Sequence, residues 1–430
     1  MKIIQIKSLL VLSILLLIVL ISFRFLNQNN LHQEIEKQTN EISNSLIKIR
    51  RDFHQYPELA GYEKRTSKAI AEYLSNLGLE IKTEVAGYGV IGILKGGGEG
   101  KNIAWRADMD ALPMHFPEQV SYKSKIKGVQ HGCGHDVHMA IGLGIAEVLS
   151  KNKESINGTV YFIFQPEEET FDGAKNIVDS NLYSEMNIDE IYTLHVTALP
   201  VGQIMVKPNE LYAYQKIIQL KFNGELSKED AEELYNQLRN ETLRRKDSTN
   251  PWQILKAFDA KLGLTNPNTF FKDYLYLQEN FIIEEDDNQL TLITEAYETD
   301  KSNLPNILPK IEQIISKSKH QDKFISASFI QENPTVFNHK SLTTDAIKTL
   351  TTIYGENHVE MSHGQIPYFN DDFIYFQQKT PGVYFLLGGA NPKKGISAMN
   401  HAPNFDVDEE CIRVGVKSFS SLILERVNNE

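Results

Sequence analysis

The segment from Gln130 to His138 contains the residue types that bind metal ions in proteins. It places one thiol, three imidazoles and one carboxylate around Gly132 and Gly134. Thiolate and imidazole are ligands for zinc and its first-row neighbours, and the two glycines allow a tight loop that directs Cys133 and His135 to one centre. The segment therefore predicts a metal site, with a nucleophilic cysteine–histidine pair or a solvated loop as alternatives.

Acidic and histidine residues follow other segments that predict buried strands. The apolar run 159–164 leads to the glutamates 167–169, the run 191–194 ends at His195, and His401 follows a third such run. In open α/β sheets, ligands gather at the carboxyl ends of the strands. These residues therefore favour a metal site over a solvated acidic turn, and a cysteine nucleophile would leave most of them without a role.

Helix and strand signals alternate along the chain, which is typical of an α/β protein. Short β-rich runs at 85–94 and 102–105 precede the segment from Arg106 to Asp110. The helix-forming residues Ala140 to Leu149 predict a helix that begins near His138. The thiol and histidine cluster would then occupy the loop at the N-terminal end of this helix, where the helix dipole favours a thiolate.

The composition indicates a globular protein with more than one domain. The chain has 430 residues, of which 41% are hydrophobic, and this length predicts two or three domains. A net charge of -12 without a long basic run argues against nucleic acid as a partner. Only two cysteines, Cys133 and Cys411, are present, which argues against a disulfide framework; Cys411 is predicted to lie in the core.

The N-terminus carries an apolar segment with a basic flank. Lys2 and Lys7 precede a run from Leu9 to Phe23, Arg24 follows it, and no alanine occurs before Ala60. The run predicts an uncleaved signal anchor because an Ala-x-Ala cleavage site is missing. The protein is thus expected to be anchored in a membrane with its catalytic part outside the cytoplasm, and secretion after signal cleavage is the alternative.

Six short motifs along the chain combine charged or glycine-containing positions with apolar runs. They are Arg106–Pro113 (RADMDALP), Cys133–Asp136 (CGHD), Phe164–Glu169 (FQPEEE), Leu194–His195 (LH), Pro381–Gly388 (PGVYFLLG) and His401–Phe405 (HAPNF). Their order and spacing resemble the family of metal-dependent amidohydrolases and peptidases that includes hippurate hydrolase, N-acyl-amino-acid amidohydrolases and auxin-conjugate hydrolases. The resemblance spans residues 48–208 and 367–423.

The resemblance implies a site with two divalent metal ions, zinc or manganese, with cobalt or nickel as alternatives. The implied ligands are Cys133, His135, Glu169, His195 and His401. Glu168 would act as general acid/base, and Asp108 and Asp136 would orient ligand histidines. The implied reaction is hydrolysis of the amide bond of an N-acyl amino acid or small peptide by water activated between the two metals.

The resemblance also implies an α/β catalytic domain whose central mixed sheet is interrupted by a smaller α+β insert of ferredoxin-like type. Strand and helix signals between 209 and 333 agree with such an insert, which the family uses as a lid or dimerisation domain. The expected organisation is anchor and linker at 1–38, first catalytic part at 39–208, insert at 209–332 and second catalytic part at 333–430. This organisation is compatible with a homodimer formed through the insert.

The insert departs from its relatives at one position of chemical importance. They carry Gly-x-His-x-x-x-Pro after the first insert strand, where the histidine helps to bind the oxyanion, whereas this chain has Phe222 to Ser227 without a histidine. The alternative function is therefore a binding or scaffold protein with an impaired site. His363, which precedes the segment Asp371 to Phe373, is a candidate for a substitute oxyanion donor, and a solvated histidine in a glycine-containing loop is the favoured alternative.

Overall fold

The first described helix packs along the core. The computed structural model describes residues 30–224, 226–244, 254–259, 261–286 and 288–429. Helix α1 covers residues 30–55, and the side chains of Ile35, Ile42 and Leu46 are buried in the core. Residues 30–38, predicted as part of a polar linker, are therefore helical, because their apolar side chains pack against the protein.

The prediction of a membrane anchor needs correction. Within the described ranges, no helix is both long and apolar enough to cross a bilayer. The first described helix, α1, is amphipathic and exposes charged residues such as Glu34 and Lys37. The run from Leu9 to Phe23 that suggested the anchor lies outside the described residues. The described helices thus do not support the predicted membrane-anchored, extracytoplasmic location or the membrane as a partner.

The remaining elements fall into three stretches of the chain. The first contains α2 (Lys64–Asn76), β1 (Glu80–Val85), β2 (Gly89–Lys95), β3 (Gly98–Asp108), α3 (His135–Lys151), β4 (Asn157–Gln165), α4 (Gly173–Val178), α5 (Asn181–Met186), β5 (Glu190–Pro200), β6 (Ile204–Val206) and β7 (Asn209–Glu210). The second contains β8 (Tyr214–Asn223), α6 (Lys228–Thr242), β9 (Leu275–Leu277), β10 (Ile282–Asp286), β11 (Gln289–Glu298), α7 (Ile307–Ile315) and β12 (Phe324–Gln331). The third contains β13 (Phe337–Asn338), α8 (Lys340–Tyr354), β14 (Val359–Met361), α9 (Ile374–Gln377), β15 (Gly382–Ala390) and α10 (Glu410–Asn428).

The central sheet has eight strands in the order β1-β2-β4-β3-β5-β15-β6-β14. β3 pairs in parallel with β4 and β5, and β5 pairs in parallel with β15. The pairs β1 with β2, β2 with β4 and β15 with β6 are antiparallel. Helices α1, α3 and α10 share one hydrophobic core with this sheet, and α4, α5 and α9 share another. The expected α/β fold with a mixed central sheet is confirmed.

A second, antiparallel sheet is formed by the middle stretch of the chain. Its strands follow the order β10-β11-β8-β12, and β9 pairs with β11. Buried and half-buried residues alternate along β8, and its buried side packs against α6 and α7. The role of this α+β unit as a lid or dimerisation domain, and its boundaries at 209 and 332, stay predictions.

Candidate metal centre

The start of α3 holds the first part of the site. Gly134 is the N-cap of this helix and has a left-handed backbone with a φ of 99°. Glycine takes up this conformation without steric cost, so the chain turns directly from Cys133 into the helix. For this reason α3 begins at His135 and not near His138 as predicted. Cys133 lies in the preceding loop as expected, whereas His135 lies in the first helical turn.

The central strands bring the other candidate ligands to the same region. β4 ends at Gln165 and leads into the turn that carries Glu169. β5 carries His195 but continues to Pro200, because it stays paired with β15 up to that residue. His195 thus lies inside the strand and not at its end. His401 comes from the segment between β15 and α10, where its backbone N–H donates to the Gly132 carbonyl at 2.9 Å.

All five predicted ligands lie close together. Cys133 Sγ is 3.2 Å from Nε2 of His195 and 3.2 Å from Nε2 of His401. Glu169 Oε1 is 3.3 Å from His401 Nε2 and 3.8 Å from His135 Nε2. The candidate ligand atoms of Cys133, His135 and His195 lie within 4.8 Å of one another, and so do those of Cys133, Glu169 and His401. The arrangement offers two overlapping sets of donors.

Two buried atoms of this cluster need a partner that the described side chains do not supply. His135 Nε2 and Glu169 Oε1 are buried without a hydrogen-bond partner in the described part of the chain. Buried polar atoms in folded proteins are nearly always paired. A cation would provide the missing partner, and thiol, imidazole and carboxylate donors suit zinc and its divalent neighbours. The residues present therefore fit the metal ions that the sequence implied.

Hydrogen bonds to the backbone fix the orientation of two ligand rings. His135 Nδ1 is 2.8 Å from the Asp110 carbonyl oxygen, and His195 Nδ1 is 2.8 Å from the Val196 carbonyl oxygen. A carbonyl can only accept, so Nδ1 carries a proton in both rings, and in the neutral imidazole the lone pair is then on Nε2. Both Nε2 atoms point into the ligand cluster. The rings are thus prepared to bind a metal without rearrangement.

The two carboxylates expected to orient ligand histidines have different partners. Asp108 Oδ1 is 2.6 Å from His138 Nδ1, and Asp108 Oδ2 is 3.7 Å from His135 Nε2. Asp108 therefore lies beside a ligand histidine, although its short contact is to His138. Asp136 is 2.7 Å from His54 Nδ1 and thereby ties α1 to the start of α3. The expectation for Asp136 is corrected, because its side chain points to α1.

Sequence reasoning missed Asp110 as a residue that organises the site. Its carboxylate accepts hydrogen bonds from the backbone N–H groups of Glu168 and Glu169 at 3.1 and 2.9 Å, while its carbonyl oxygen orients His135. Asp110 thus joins the acidic turn to α3. The available signal was its position two residues after Asp108, since such residues point to the same side of an extended chain.

Glu168 places its carboxyl group on the cavity wall beside the ligand cluster. It is 4% exposed and has Oε2 at 3.8 Å from His135 Nε2. Burial raises its pKa well above the ordinary value, and the nearby carboxylates of Asp371, Glu169 and Asp372 add to this effect. A raised pKa makes a carboxylate a stronger base than usual, which suits a proton acceptor.

The cavity over the ligand cluster has a volume of about 460 Å³. Its wall contains Cys133, Glu168, Glu169, His195 and His401 and is rich in aromatic rings. The aromatic residues are Phe171, Tyr212, Tyr368, Phe369 and Tyr384. The volume is within the usual range for small-molecule sites. A small organic substrate can therefore reach the ligand cluster.

His363 lies away from the wall of the cavity. Its backbone N–H donates to the Leu264 carbonyl at 2.7 Å, and its side chain is half-buried. The neighbouring Gly364 lies against Phe271 and Leu264. His363 is not among the described residues that line the cavity. Its predicted role as oxyanion donor stays a prediction, which the kcat of a His363→Ala variant tests.

Gly134→Ala is expected to destabilise the protein by about 2–5 kcal/mol, because two costs add up. An L-residue at this φ of 99° costs about 1–2 kcal/mol. A Cβ atom would also lie 2.4 Å from Val196 Cγ1, and such overpacking costs about 1–3 kcal/mol. The midpoint of urea denaturation of the metal-free protein measures the loss, and zinc titration measures the accompanying loss of affinity.

Gly78→Ala is the matched control for this prediction. Gly78 has a φ of 81° but no atom within 4 Å of an added Cβ. The control variant should therefore show the backbone cost alone and keep its affinity for zinc. Equal losses of stability in the two variants would contradict the argument from steric overlap.

An α/β sheet that gathers thiol, imidazole and carboxylate donors beside a protonatable glutamate and an open cavity defines a metal-dependent hydrolase. The sequence pattern of peptidase family M20/M25/M40 matches residues 104–425 of the chain. The protein therefore belongs to this family. It is a metal-dependent amidohydrolase or peptidase, as the motifs indicated.

Relatives of the protein align over nearly its whole length. Thermostable carboxypeptidase 1 of Saccharolobus solfataricus is 31% identical over 93% of this chain and 100% of that protein. IAA-amino acid hydrolase ILR1-like 4 of Arabidopsis thaliana is 30% identical over 89% of this chain and 86% of that protein. The crystal structure of the Bacillus subtilis YXEP protein, described as a dinuclear metal binding peptidase from the M20 family, has a TM-score of 0.71 at 24% identity and covers 91% of this chain and 100% of that chain. At this identity the likeness shows a shared fold.

Proposed function

We propose that the protein hydrolyses the amide bond of an N-acyl amino acid or a small peptide, with Glu168 as general acid/base. The observation that carries the proposal is the convergence of the five donors, two of them with orphaned buried atoms, beside Glu168 in an open cavity. Two divalent ions would be held there, zinc or manganese by the chemistry of the donors. The ligands would be Cys133, His135, Glu169, His195 and His401.

The ions would supply Lewis acidity for the amide carbonyl and a lowered pKa for the attacking water. The protein itself supplies the path of the proton. The Glu168 carboxylate takes the proton from the water and passes it to the nitrogen of the leaving amine. Both atoms must lie within hydrogen-bond reach of this carboxylate, and its place on the cavity wall allows this.

The acidic turn explains how two consecutive glutamates can serve one cavity. Adjacent residues in an extended strand point to opposite sides. After β4, the backbone of Glu167 has a φ of 55°, and the N–H groups of Glu168 and Glu169 both donate to Asp110. The chain therefore turns at this point. As a result Glu169 faces the ligand cluster, while Glu168 remains free for proton transfer.

Metal content and turnover test the proposal together. We expect two zinc or manganese ions per chain, hydrolysis of N-acetyl or N-benzoyl amino acids, loss of activity with a chelator and recovery when metal is restored. Cys133→Ala should lower the metal content. Cys411→Ala removes a buried thiol outside the site and should not. Metal binding without turnover of any acylated amino acid or peptide would instead support the alternative of a binding or scaffold protein.

A further inference from the structure

Tyr212 occupies a fixed position on the cavity wall between β7 and β8. It is 1% exposed, yet it lines the cavity. Its carbonyl oxygen accepts a hydrogen bond from Thr335 Oγ1 at 3.0 Å. The backbone N–H of Leu211 donates to the Val336 carbonyl at 3.1 Å, and the backbone N–H of Ala213 donates to the Ile366 carbonyl at 3.0 Å. The backbone around Tyr212 is thus held on both sides.

Aromatic contacts fix the ring of Tyr212 near the ligand cluster. The ring is perpendicular to that of Tyr384, with centroids 5.7 Å apart, and stacks with Phe369 at 6.0 Å. The ring of Tyr384 in turn stacks with that of His195 at 6.4 Å. Tyr212 is therefore separated from a candidate metal ligand by one aromatic ring. Aromatic pairs at these distances are attractive and limit ring motion.

The hydroxyl of Tyr384, whose ring packs on that of Tyr212, is bound to a carboxylate. It donates to Asp371 Oδ2 at 2.9 Å. Asp371 is held by Arg106, whose Nη2 is 3.1 Å from Asp371 Oδ1. Because Tyr384 gives its only proton to Asp371, it has no proton for a substrate oxygen. Of these two tyrosines, Tyr212 is therefore the one that can donate to a substrate in the cavity.

The charge state of Tyr212 suits a hydrogen-bond donor. Burial raises the pKa of Tyr212 well above its ordinary value, and the negative charges of Asp371, Cys133 and Glu168 add to this effect. The hydroxyl therefore keeps its proton throughout the neutral range.

Two amide side chains on the cavity wall are directed elsewhere. Asn400 Nδ2 donates to the carbonyls of Cys133 and Val196 at 2.8 and 3.0 Å. Gln215 Nε2 donates to Glu295 Oε2 at 3.0 Å and to the Tyr297 hydroxyl at 3.3 Å. Each of these amides thus uses both N–H groups on acceptors of the protein. Tyr212 instead brings a hydroxyl to the wall on a ring whose position is fixed by its aromatic neighbours.

We propose that the Tyr212 hydroxyl donates a hydrogen bond to the oxyanion that develops on the amide carbonyl, in place of the histidine that the segment Phe222 to Ser227 lacks. This inference rests on the proposed function. Tyr212 keeps its proton during the reaction. The water oxygen bonds to the carbonyl carbon, its proton passes through Glu168 to the nitrogen, and the C–N bond then breaks. Tyr212 is thus a catalytic residue that stabilises charge and transfers no proton.

Tyr212→Phe tests the inference because it keeps the ring and removes only the hydroxyl. The metal-loaded variant should show a kcat lower by about 10²- to 10³-fold with a KM within a few-fold of the parent. Its affinity for a phosphinate analogue of the tetrahedral intermediate should fall by a similar factor in calorimetry. Its metal content and its affinity for the product amino acid should stay unchanged, which a structural role of the hydroxyl would not predict.

Tyr183→Phe and His363→Ala complete the experiment. Tyr183 carries a buried hydroxyl bonded to Thr380 Oγ1 at 2.8 Å outside the cavity, so its variant should retain the parental kcat. If the kcat of Tyr212→Phe stayed within a few-fold of the parental value, the inference would be wrong, above all if the kcat of His363→Ala fell a hundredfold. Absence of turnover in the parent protein with every acylated substrate would overturn the proposed function first, and the role of Tyr212 with it.

Discussion

Glu168→Gln is expected to lower kcat by about 10²- to 10⁴-fold while leaving both metal ions in place. The amide has the shape of the carboxyl group but cannot accept a proton from water. Glu168 is not one of the five proposed ligands, so the proposal predicts that the ions stay bound without its charge. Steady-state kinetics and metal analysis by mass spectrometry on the same preparation measure the two effects.

Glu167→Gln is the matched control for this experiment. Glu167 precedes Glu168 in the same turn, but its carboxylate lies against Gly61 and away from the cavity wall. The control variant should therefore keep most of its kcat and all of its metal. If Glu168→Gln lost its metal ions, Glu168 would be a ligand, and the assignment of the general acid/base would fail.

Several proposed ligands could be located from the sequence because they follow local patterns. The runs 159–164 and 191–194 predict strands buried on both faces, and parallel strands of this kind bring the residues at their carboxyl ends to one edge of the sheet. Glu169 follows the end of β4 as this rule predicts, whereas His195 lies inside β5, and both residues line the same cavity. The thiol and imidazole of Cys133 and His135 are close in sequence, so a single glycine-containing turn is enough to position them.

The roles of Asp110 and Tyr212 depend on long-range contacts and could not be predicted in the same way. Asp110 matters because its oxygens meet backbone groups of the turn after β4 and the ring of His135 in α3. Tyr212 reaches the cavity because its segment pairs with Ile366, from the other end of the chain. Neither contact leaves a periodic pattern in the sequence. The start of α3 was misplaced for a local reason, namely the left-handed backbone of Gly134.

Arg106→Met is expected to destabilise the fold by about 3–5 kcal/mol, because it removes a buried cation from a group of carboxylates beside Glu168. The side chain of Arg106 is 1% exposed. Its guanidinium is 2.7 Å from Asp108, 3.1 Å from Asp371 and 2.9 Å from Asp372. Methionine fills much of the volume but leaves these charges uncompensated.

Arg65→Met is the matched control for the loss of an arginine ion pair. Arg65 is 2.6 Å from Asp52, but the two side chains are 40% and 48% exposed, so water screens the pair. An exposed pair of this kind contributes about 1 kcal/mol or less. Urea denaturation of the metal-free proteins measures both changes without a contribution from metal binding. Similar midpoints for the two variants would contradict the importance of burial.

The loss in Arg106→Met should also depend on pH in a defined direction. Burial already raises the pKa of Asp371 and of Asp372 in the folded protein, and Arg106 opposes this effect. Without the guanidinium both pKa values rise further, so the folded variant binds more protons than the unfolded chain. Its stability must then fall as the pH rises through these folded-state pKa values. Denaturation at about pH 5.5 and pH 8 should therefore show the larger difference between variant and parent at pH 8, whereas a difference independent of pH would show that packing and not charge stabilises this part of the core.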